Sequence, residues 1–349
     1  MIPANRVMYI ARGRHGIPPC GVFHPSREST AEPHSSFDLM RRVMLSILLL
    51  TFCVMDAAAE SRGWQAPAGH RQIPIWPGIP PDSRHMPGLE YARPAKDSLV
   101  AGKPWTEVSN VSTPTITLFP PKGANTGAAV VVFPGGGYYD LAMDLEGTEA
   151  CEWLASIGIT GVLLKYRVPV HHTRRNSGAY PDSPMDLEDA QRTIGLLRLH
   201  AKEWHLDVHK IGVLGFSAGG HLVAAISTHF KKRLYRPLDA ADRLSCRPDF
   251  GVALYPGHLW LGDPKFKLNP NVPVTKDTPP QFLLQAEDDH VDSANDSLVY
   301  YIALKNAGVP AEIHLFPHGG HAFGLRPTKF PITRWPKLVQ IWLQSMSVI

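Results

Sequence analysis

The chain has 349 residues, 44% of them hydrophobic and 19% charged, which describes an ordinary globular protein able to bury a substantial core. Half of its formal charge of +4 lies in the first 59 residues, which hold six Arg and four acids, so the remainder carries 29 basic against 27 acidic groups. Without a basic stripe along the chain, nucleic acid is not expected as a partner.

In chain order, the first recognisable element is an export signal. Met40-Arg41-Arg42 opens it, Val43 to Val54 is an uncharged apolar run, and Ala57-Ala58-Ala59 offers a cleavage site. The run falls short of the roughly 20 residues a bilayer span needs, so no stable membrane span is expected. Residues 40–59 therefore read as a signal peptide and the protein as secreted or periplasmic. Residues 1–39 precede the signal and read as an overlong start or a disordered leader. In an oxidising compartment Cys151 and Cys246 are either a disulfide or two buried thiols. The 17 His are scattered and no Cys or His cluster has metal-ligand spacing, so no metal site and no cofactor are expected.

Residues 60–113 are rich in Pro and Gly, with Ile75-Trp76-Pro77-Gly78 and Pro80-Pro81, and read as an irregular arm laid across the domain. Beyond 114 short apolar runs alternate with stretches of helical period. The runs are Ala128 to Phe133, Thr160 to Tyr166, Ile211 to Phe216, Phe250 to Tyr255, Phe282 to Gln285 and Ile313 to Phe316. Helices are predicted over 145–157, 187–203, 218–229, 294–307 and 334–346. Continuous apolar strands are buried on both faces, and alternation with helices means a parallel sheet. Residues 114–349 are thus predicted to be one doubly wound, mostly parallel α/β domain with helices on both faces. Its site belongs beyond the carboxyl ends of the strands.

Four elements at those ends carry chemistry. The first, at 133–138, is Phe-Pro-Gly-Gly-Gly-Tyr, whose glycines can turn backbone N–H groups into a pocket. Gly136 and Gly137 are expected oxyanion donors, with Ala218 as the third. A phosphate-binding loop is the rival reading, but it would want Lys-Ser/Thr or a further glycine opening a helix. The second, Gly215-Phe216-Ser217-Ala218-Gly219, is G-x-S-x-G between strand and helix, a nucleophile elbow placing Ser217 at a tight turn.

The third is Glu287-Asp288-Asp289-His290-Val291-Asp292, four acids in six positions. One must hold the histidine's tautomer. Asp288 is expected to do so from its D-x-x-V spacing to Val291, with Asp289 as the alternative. In the fourth, His318-Gly319-Gly320-His321-Ala322-Phe323, His321 is the expected general base because it follows the Gly pair. Serine, acid and histidine, in that order and each after its own strand, is the α/β-hydrolase arrangement.

The stretch from about Ile73 to the end resembles bacterial secreted α/β-hydrolases of the acetyl xylan esterase and feruloyl esterase-like group. The resemblance rests on Ile75-Trp76-Pro77-Gly78, Pro134-Gly135-Gly136-Gly137-Tyr138, Asp144-Leu145-Glu146-Gly147, Leu164-Lys165-Tyr166-Arg167-Val168, Asp189-Ala190-Gln191-Arg192, Gly215 to His221 and Gly319-Gly320-His321. Two departures stand out: Pro134 where hormone-sensitive-lipase relatives carry His, and Ala322 where many relatives carry Gly. The resemblance implies a serine esterase releasing short acyl groups, acetyl above all, from a small-molecule or polysaccharide ester such as xylan.

Tyr138 and Trp260 are candidates to stack on a sugar. The segments 168–186, with His171, His172, Arg174 and Arg175, and 256–280 are candidates to line the site. A prolyl-oligopeptidase-like peptidase shares the catalytic order, but the roughly 70 residues before the oxyanion loop cannot build its propeller. A general short-chain carboxylesterase is the remaining alternative. The sequence sets no oligomeric state.

Overall fold

In a computed structural model, residues 63–83, 88–168, 178–262 and 265–349 are described. The expected signal peptide, the leader before it and the cluster His171, His172, Arg174 and Arg175 lie outside them. The described residues all fall in one compact unit.

Eleven strands occur among these residues: β1 (Gln72–Pro74), β2 (Tyr91–Pro94), β3 (Thr106–Ser109), β4 (Thr115–Phe119), β5 (Ala129–Phe133), β6 (Asp140–Ala142), β7 (Thr160–Lys165), β8 (Ile211–Phe216), β9 (Gly251–Leu254), β10 (Gln281–Ala286) and β11 (Ala311–Phe316). Five α-helices accompany them: α1 (Glu149–Ser156), α2 (Met185–Leu199), α3 (Ala218–Thr228), α4 (Ala294–Asn306) and α5 (Trp335–Ser345). A short π-turn, Asp144–Thr148, leads into α1. The five helical stretches and six apolar runs read from the sequence all correspond to elements, with ends shifted by a few residues.

The main sheet has eight strands in the order β1-β4-β7-β5-β8-β9-β10-β11. From β7 to β11 every pairing is parallel, while β4 runs antiparallel to β7 and β1 antiparallel to β4. All residues of β5, β7, β8, β9 and β10 are buried, as strands sandwiched between helix layers must be. The edge strand β11 is only partly buried.

The arm expected to be irregular contains strands, which corrects that reading. β1 joins the main sheet through β4, and β2 and β3 form a second small sheet with β6. β4 is a strand beyond the six apolar runs, and its Thr-Ile-Thr-Leu-Phe is strand-like in composition.

The arm is held to the domain by buried charge. Trp76 Nε1 donates to Asp189 Oδ1 at 2.7 Å, and the same carboxylate accepts from Arg167 Nε and from the Arg167 amide at 3.0 Å. Arg167 also donates to Glu188 at 2.9 Å and to the carbonyl of Pro81. Arg192 donates to the Ile75 carbonyl at 2.9 Å and pairs with Asp239 and Asp242. The Ile75-Trp76 motif is therefore one half of a polar lock whose other half comes from the end of β7 and from α2.

Chain order reverses at β5. The chain passes from β5 to β7 on one side and then returns to β8 on the other. That reversal opens a crevice between the loops after β5 and β8, and in such sheets the crevice is where ligands bind.

Candidate active site

Both edges of the crevice are built from backbone that only particular residues tolerate. After β8, Ser217 sits at φ 52°, ψ −118°, a conformation rare outside glycine. Its strain is held by the Ser217 amide donating to the Leu254 carbonyl at 3.0 Å and by α3 starting immediately after. A Cβ at Gly219 would stand 2.1 Å from the Phe133 carbonyl oxygen, so the elbow can approach β5 only because that position is glycine.

After β5 the loop is pinned at three points. The Gly135 amide donates to Glu146 Oε2 at 2.8 Å, the Tyr166 hydroxyl donates to the Pro134 carbonyl at 2.6 Å, and the Tyr139 amide donates to the Gly136 carbonyl at 2.9 Å. Gly136 has φ 132°, and a Cβ there would lie 2.0 Å from the Asp140 carbonyl oxygen. Gly135 is thus committed to Glu146, and the next two residues of the loop are Gly136 and Gly137. Both glycines line the same cavity as the serine. The Ala218 amide opens α3, where the first N–H groups of a helix lack intrahelical partners.

The serine hydroxyl lies 2.9 Å from His321 Nε2. On the far side of that ring, His321 Nδ1 donates to Asp289 Oδ2 at 2.7 Å. This corrects the expected acid: Asp289 faces the histidine and Asp288 does not. The other oxygen of Asp289 accepts the amides of Val291 and Asp292 at 2.9 and 3.0 Å, and its side chain has no exposed surface. Asp288 points the other way. Its Oδ1 accepts the amides of Gly319 and Gly320 at 2.9 and 2.8 Å, and its Oδ2 lies 3.2 Å from His318 Nδ1. It shapes the loop that carries His321. Hydrogen bonds from the Gly320 amide, then from His318 and Gly319, hold its carboxyl below the usual range despite some desolvation.

Burial of His321 disfavours its charged form, but the bond to Asp289 and the nearby charges of Asp292 and Glu146 outweigh that and raise its pKa above the ordinary imidazole value. Glu146, in the Asp144-Leu145-Glu146-Gly147 motif, takes a part that its sequence does not announce. Its buried carboxyl accepts Gly135 N–H and the Tyr255 hydroxyl, the latter at 2.8 Å, and burial raises its pKa. Tyr255 in turn accepts the Gly324 amide at 3.1 Å. One carboxylate thereby ties the glycine loop after β5 to the histidine loop after β11. Trp335 Nε1 supports the same loop by donating to the Gly324 carbonyl at 2.8 Å.

The cavity over these groups holds about 390 Å³ and is lined in part by apolar Trp105, Ala142, Leu145 and Ala322 and in part by polar His258 and Asp292. Neither aromatic expected to stack on a sugar lines it. Tyr138 is 1% exposed, and its hydroxyl shares a 2.7 Å hydrogen bond with His221 Nδ1, so it is a buried prop under the loop. Trp260 packs partly buried near Phe266, with ring centroids 6.4 Å apart. The cavity aromatics are instead Trp105, from the arm, and Tyr139. The histidine that lines the cavity in segment 256–280 is His258, and the acid beside the serine is Asp292, 3.3 Å from Ser217 Oγ. Cys151 and Cys246 are buried free thiols. Among the described residues no group of three His, Cys, Asp or Glu is arranged to hold a metal ion, and no helix is long and apolar enough to cross a membrane.

A parallel sheet that reverses order at β5, with an elbow serine after β8 and a histidine after β11, defines an α/β-hydrolase. Residues 118–250 match the BD-FAE family. The chain is 31% identical over 221 residues to an acetylxylan esterase of Xylanibacter ruminicola, a match covering 57% of this chain and 42% of that protein. It is 28% identical over 218 residues to endo-1,4-beta-xylanase B of Butyrivibrio fibrisolvens, covering 58% and 33%. It thus spans well under half the length of these relatives. Among solved structures, an acetyl ester-xyloside bifunctional hydrolase from Caldicellulosiruptor lactoaceticus superposes with a TM-score of 0.62 at 32% identity, covering 80% of this chain and 97% of that one. The chain belongs to the acetyl xylan esterase-like α/β-hydrolases.

Proposed function

We propose that the protein is an exported serine esterase that removes short acyl groups, acetyl in particular, from carbohydrate such as xylan through an acyl-enzyme. The observation that carries this reading is the unbroken line from Ser217 Oγ to His321 Nε2, at 2.9 Å, and from His321 Nδ1 to Asp289 Oδ2, at 2.7 Å. Ser217 and His321 lie 104 positions apart in the chain, and no purely structural role requires that alignment beside a cavity.

In this mechanism Ser217 Oγ attacks the ester carbonyl carbon while His321 Nε2 takes the hydroxyl proton. Asp289 stabilises the imidazolium that forms and keeps the neutral ring in the tautomer whose Nε2 accepts. The carbonyl oxygen becomes an oxyanion and turns toward the amides of Gly136, Gly137 and Ala218. Each such donor is worth roughly 3–4 kcal/mol of transition-state stabilisation. Collapse breaks the bond to the alcohol oxygen, which leaves with the proton from His321. Water, deprotonated by the same histidine, then releases the acid and regenerates the serine.

The small apolar lining from Trp105, Ala142, Leu145 and Ala322 suits a short acyl chain. The names carried by the relatives favour acetylated xylan as the substrate class. Export rests on the charged, apolar and small-residue order of residues 40–59.

The test is a panel on purified protein: acetylated xylan, a short nitrophenyl ester and a peptide amide, each with wild type and Ser217→Ala. Acetate release by wild type, lost in the folded variant and unaccompanied by amide cleavage, is the expected result. Near-normal turnover by Ser217→Ala would remove the serine from its role. Amide cleavage would favour a peptidase, and nitrophenyl ester cleavage without acetate from xylan would favour a general carboxylesterase.

A further inference from the structure

Asp292 is a second carboxylate at the reacting centre, and the mechanism above does not use it. Its Oδ2 lies 3.3 Å from Ser217 Oγ and 3.7 Å from His321 Nε2. Its main chain is locked: the amide donates to Asp289 Oδ1 at 3.0 Å, and the carbonyl accepts from Gln285 Nε2 at 2.8 Å. Gln285 is itself held by the Ser297 hydroxyl at 2.6 Å. A Cβ on Gly257 would come within 2.4 Å of the Asp292 carboxylate, so the facing strand end leaves room for this group.

The side chain is 20% exposed, lines the cavity, and among the described residues has no Lys or Arg as an ion-pair partner. Burial raises its pKa against the opposing pull of His321 and His258, as expected of a carboxylate short of hydrogen-bond donors.

The serine has one proton, and attack sends it to His321. The bond to His321 already uses that proton in the resting enzyme, so Asp292 gains no donor from the serine. An acyl group, a carbonyl and an ester oxygen bring no donor. A free hydroxyl on the alcohol half of the substrate does, and on the carbon adjacent to the one that bears the ester it lies within reach of a group this close to the attacking serine.

Resting on the esterase reading, we propose that Asp292 is a specificity-determining residue that accepts a hydrogen bond from a free hydroxyl beside the ester. It thereby selects partly acylated polyols, carbohydrates among them, over simple alkyl or fully acylated esters.

The experiment compares kcat/KM of wild type, Asp292→Ala and Asp292→Asn on three substrates: a methyl xyloside bearing one acetyl group beside a free hydroxyl, its fully acetylated counterpart, and 4-nitrophenyl acetate. A hydrogen bond to a charged group is worth roughly 10- to 100-fold in affinity. The ratio of kcat/KM on the monoacetylated xyloside to that on 4-nitrophenyl acetate is expected to fall by about that factor in Asp292→Ala, chiefly through KM, and by less in Asp292→Asn. The ratio for the fully acetylated xyloside is expected to stay level. Equal losses on all three substrates, or an unchanged ratio, would overturn the proposal and leave the esterase reading standing. Wild-type protein that cleaves none of the three would overturn both. If Asp292→Ala fails to fold, the near-isosteric Asp292→Asn carries the same comparison.

Discussion

Asp289 meets His321 at 2.7 Å through a side chain with no exposed surface, and its second oxygen takes two backbone amides of its own loop. Each oxygen is committed, so the carboxylate cannot rotate away from the ring. Replacing it by Asn exchanges one acceptor for a donor and favours the wrong imidazole tautomer.

Asp289→Asn is therefore expected to lower kcat on a short nitrophenyl ester by about 10³- to 10⁴-fold with the fold retained. Asp288→Asn disturbs the loop amides of Gly319 and Gly320 and the contact with His318, none of which touches Ser217, and is expected to cost about tenfold or less. Stopped assays of both variants decide the matter, and the reverse ranking would return the acid role to Asp288.

The raised pKa of His321 sets a pH dependence. Catalysis needs the neutral ring, and a raised pKa keeps the inactive imidazolium populated to higher pH. The acidic limb of kcat/KM is thus expected above the ordinary imidazole value of about 6.5. The charged groups facing the ring are Asp289, Asp292 and Glu146. Removing one of them through Asp292→Asn is expected to move that limb to lower pH. A limb that stays put in a full pH–rate profile would show that Asp292 contributes nothing to the field at the ring.

Glu146 holds Gly135 and Tyr255 together, and through Tyr255 it reaches Gly324. Glu146→Ala is expected to release the Gly135 amide, loosen the donors at Gly136 and Gly137, and reduce kcat by about 10²-fold, as for the loss of an oxyanion contact. Glu146→Gln keeps one acceptor and is expected to lose less. Steady-state kinetics with a short ester, paired with thermal melting, separates loss of geometry from loss of fold. Equal kcat in wild type and the Ala variant would show that the loop keeps its shape unaided.

Asp189 compensates Arg167 while binding Trp76, all three buried. Asp189→Ala leaves Glu188 as the only carboxylate on the Arg167 guanidinium and removes the Trp76 tie of the arm, which is expected to cost about 3–5 kcal/mol of stability. Urea unfolding measures it, and a change below about 1 kcal/mol would mean that the arm is held mainly by apolar contact.

By itself, the sequence determined the layered architecture and picked out Ser217 and His321, which meet at 2.9 Å. Apolar runs such as Ala129–Phe133 and Ile211–Phe216 can only be buried strands, and the glycines around Ser217 record a turn too tight for side chains. These are local properties, carried by short stretches of chain. Which of two adjacent aspartates meets His321 is not local. Neighbours in a turn point in different directions, and only the path of the loop after β11 decides which direction holds the ring. The same reason hid the contacts of Glu146 and Asp292, whose partners lie 11 and 75 positions away. It also misplaced Tyr138, because aromatic character does not say which side of a loop a ring occupies. Tertiary structure settled those points because a hydrogen bond requires two groups to share one place, and a linear pattern specifies only one of them.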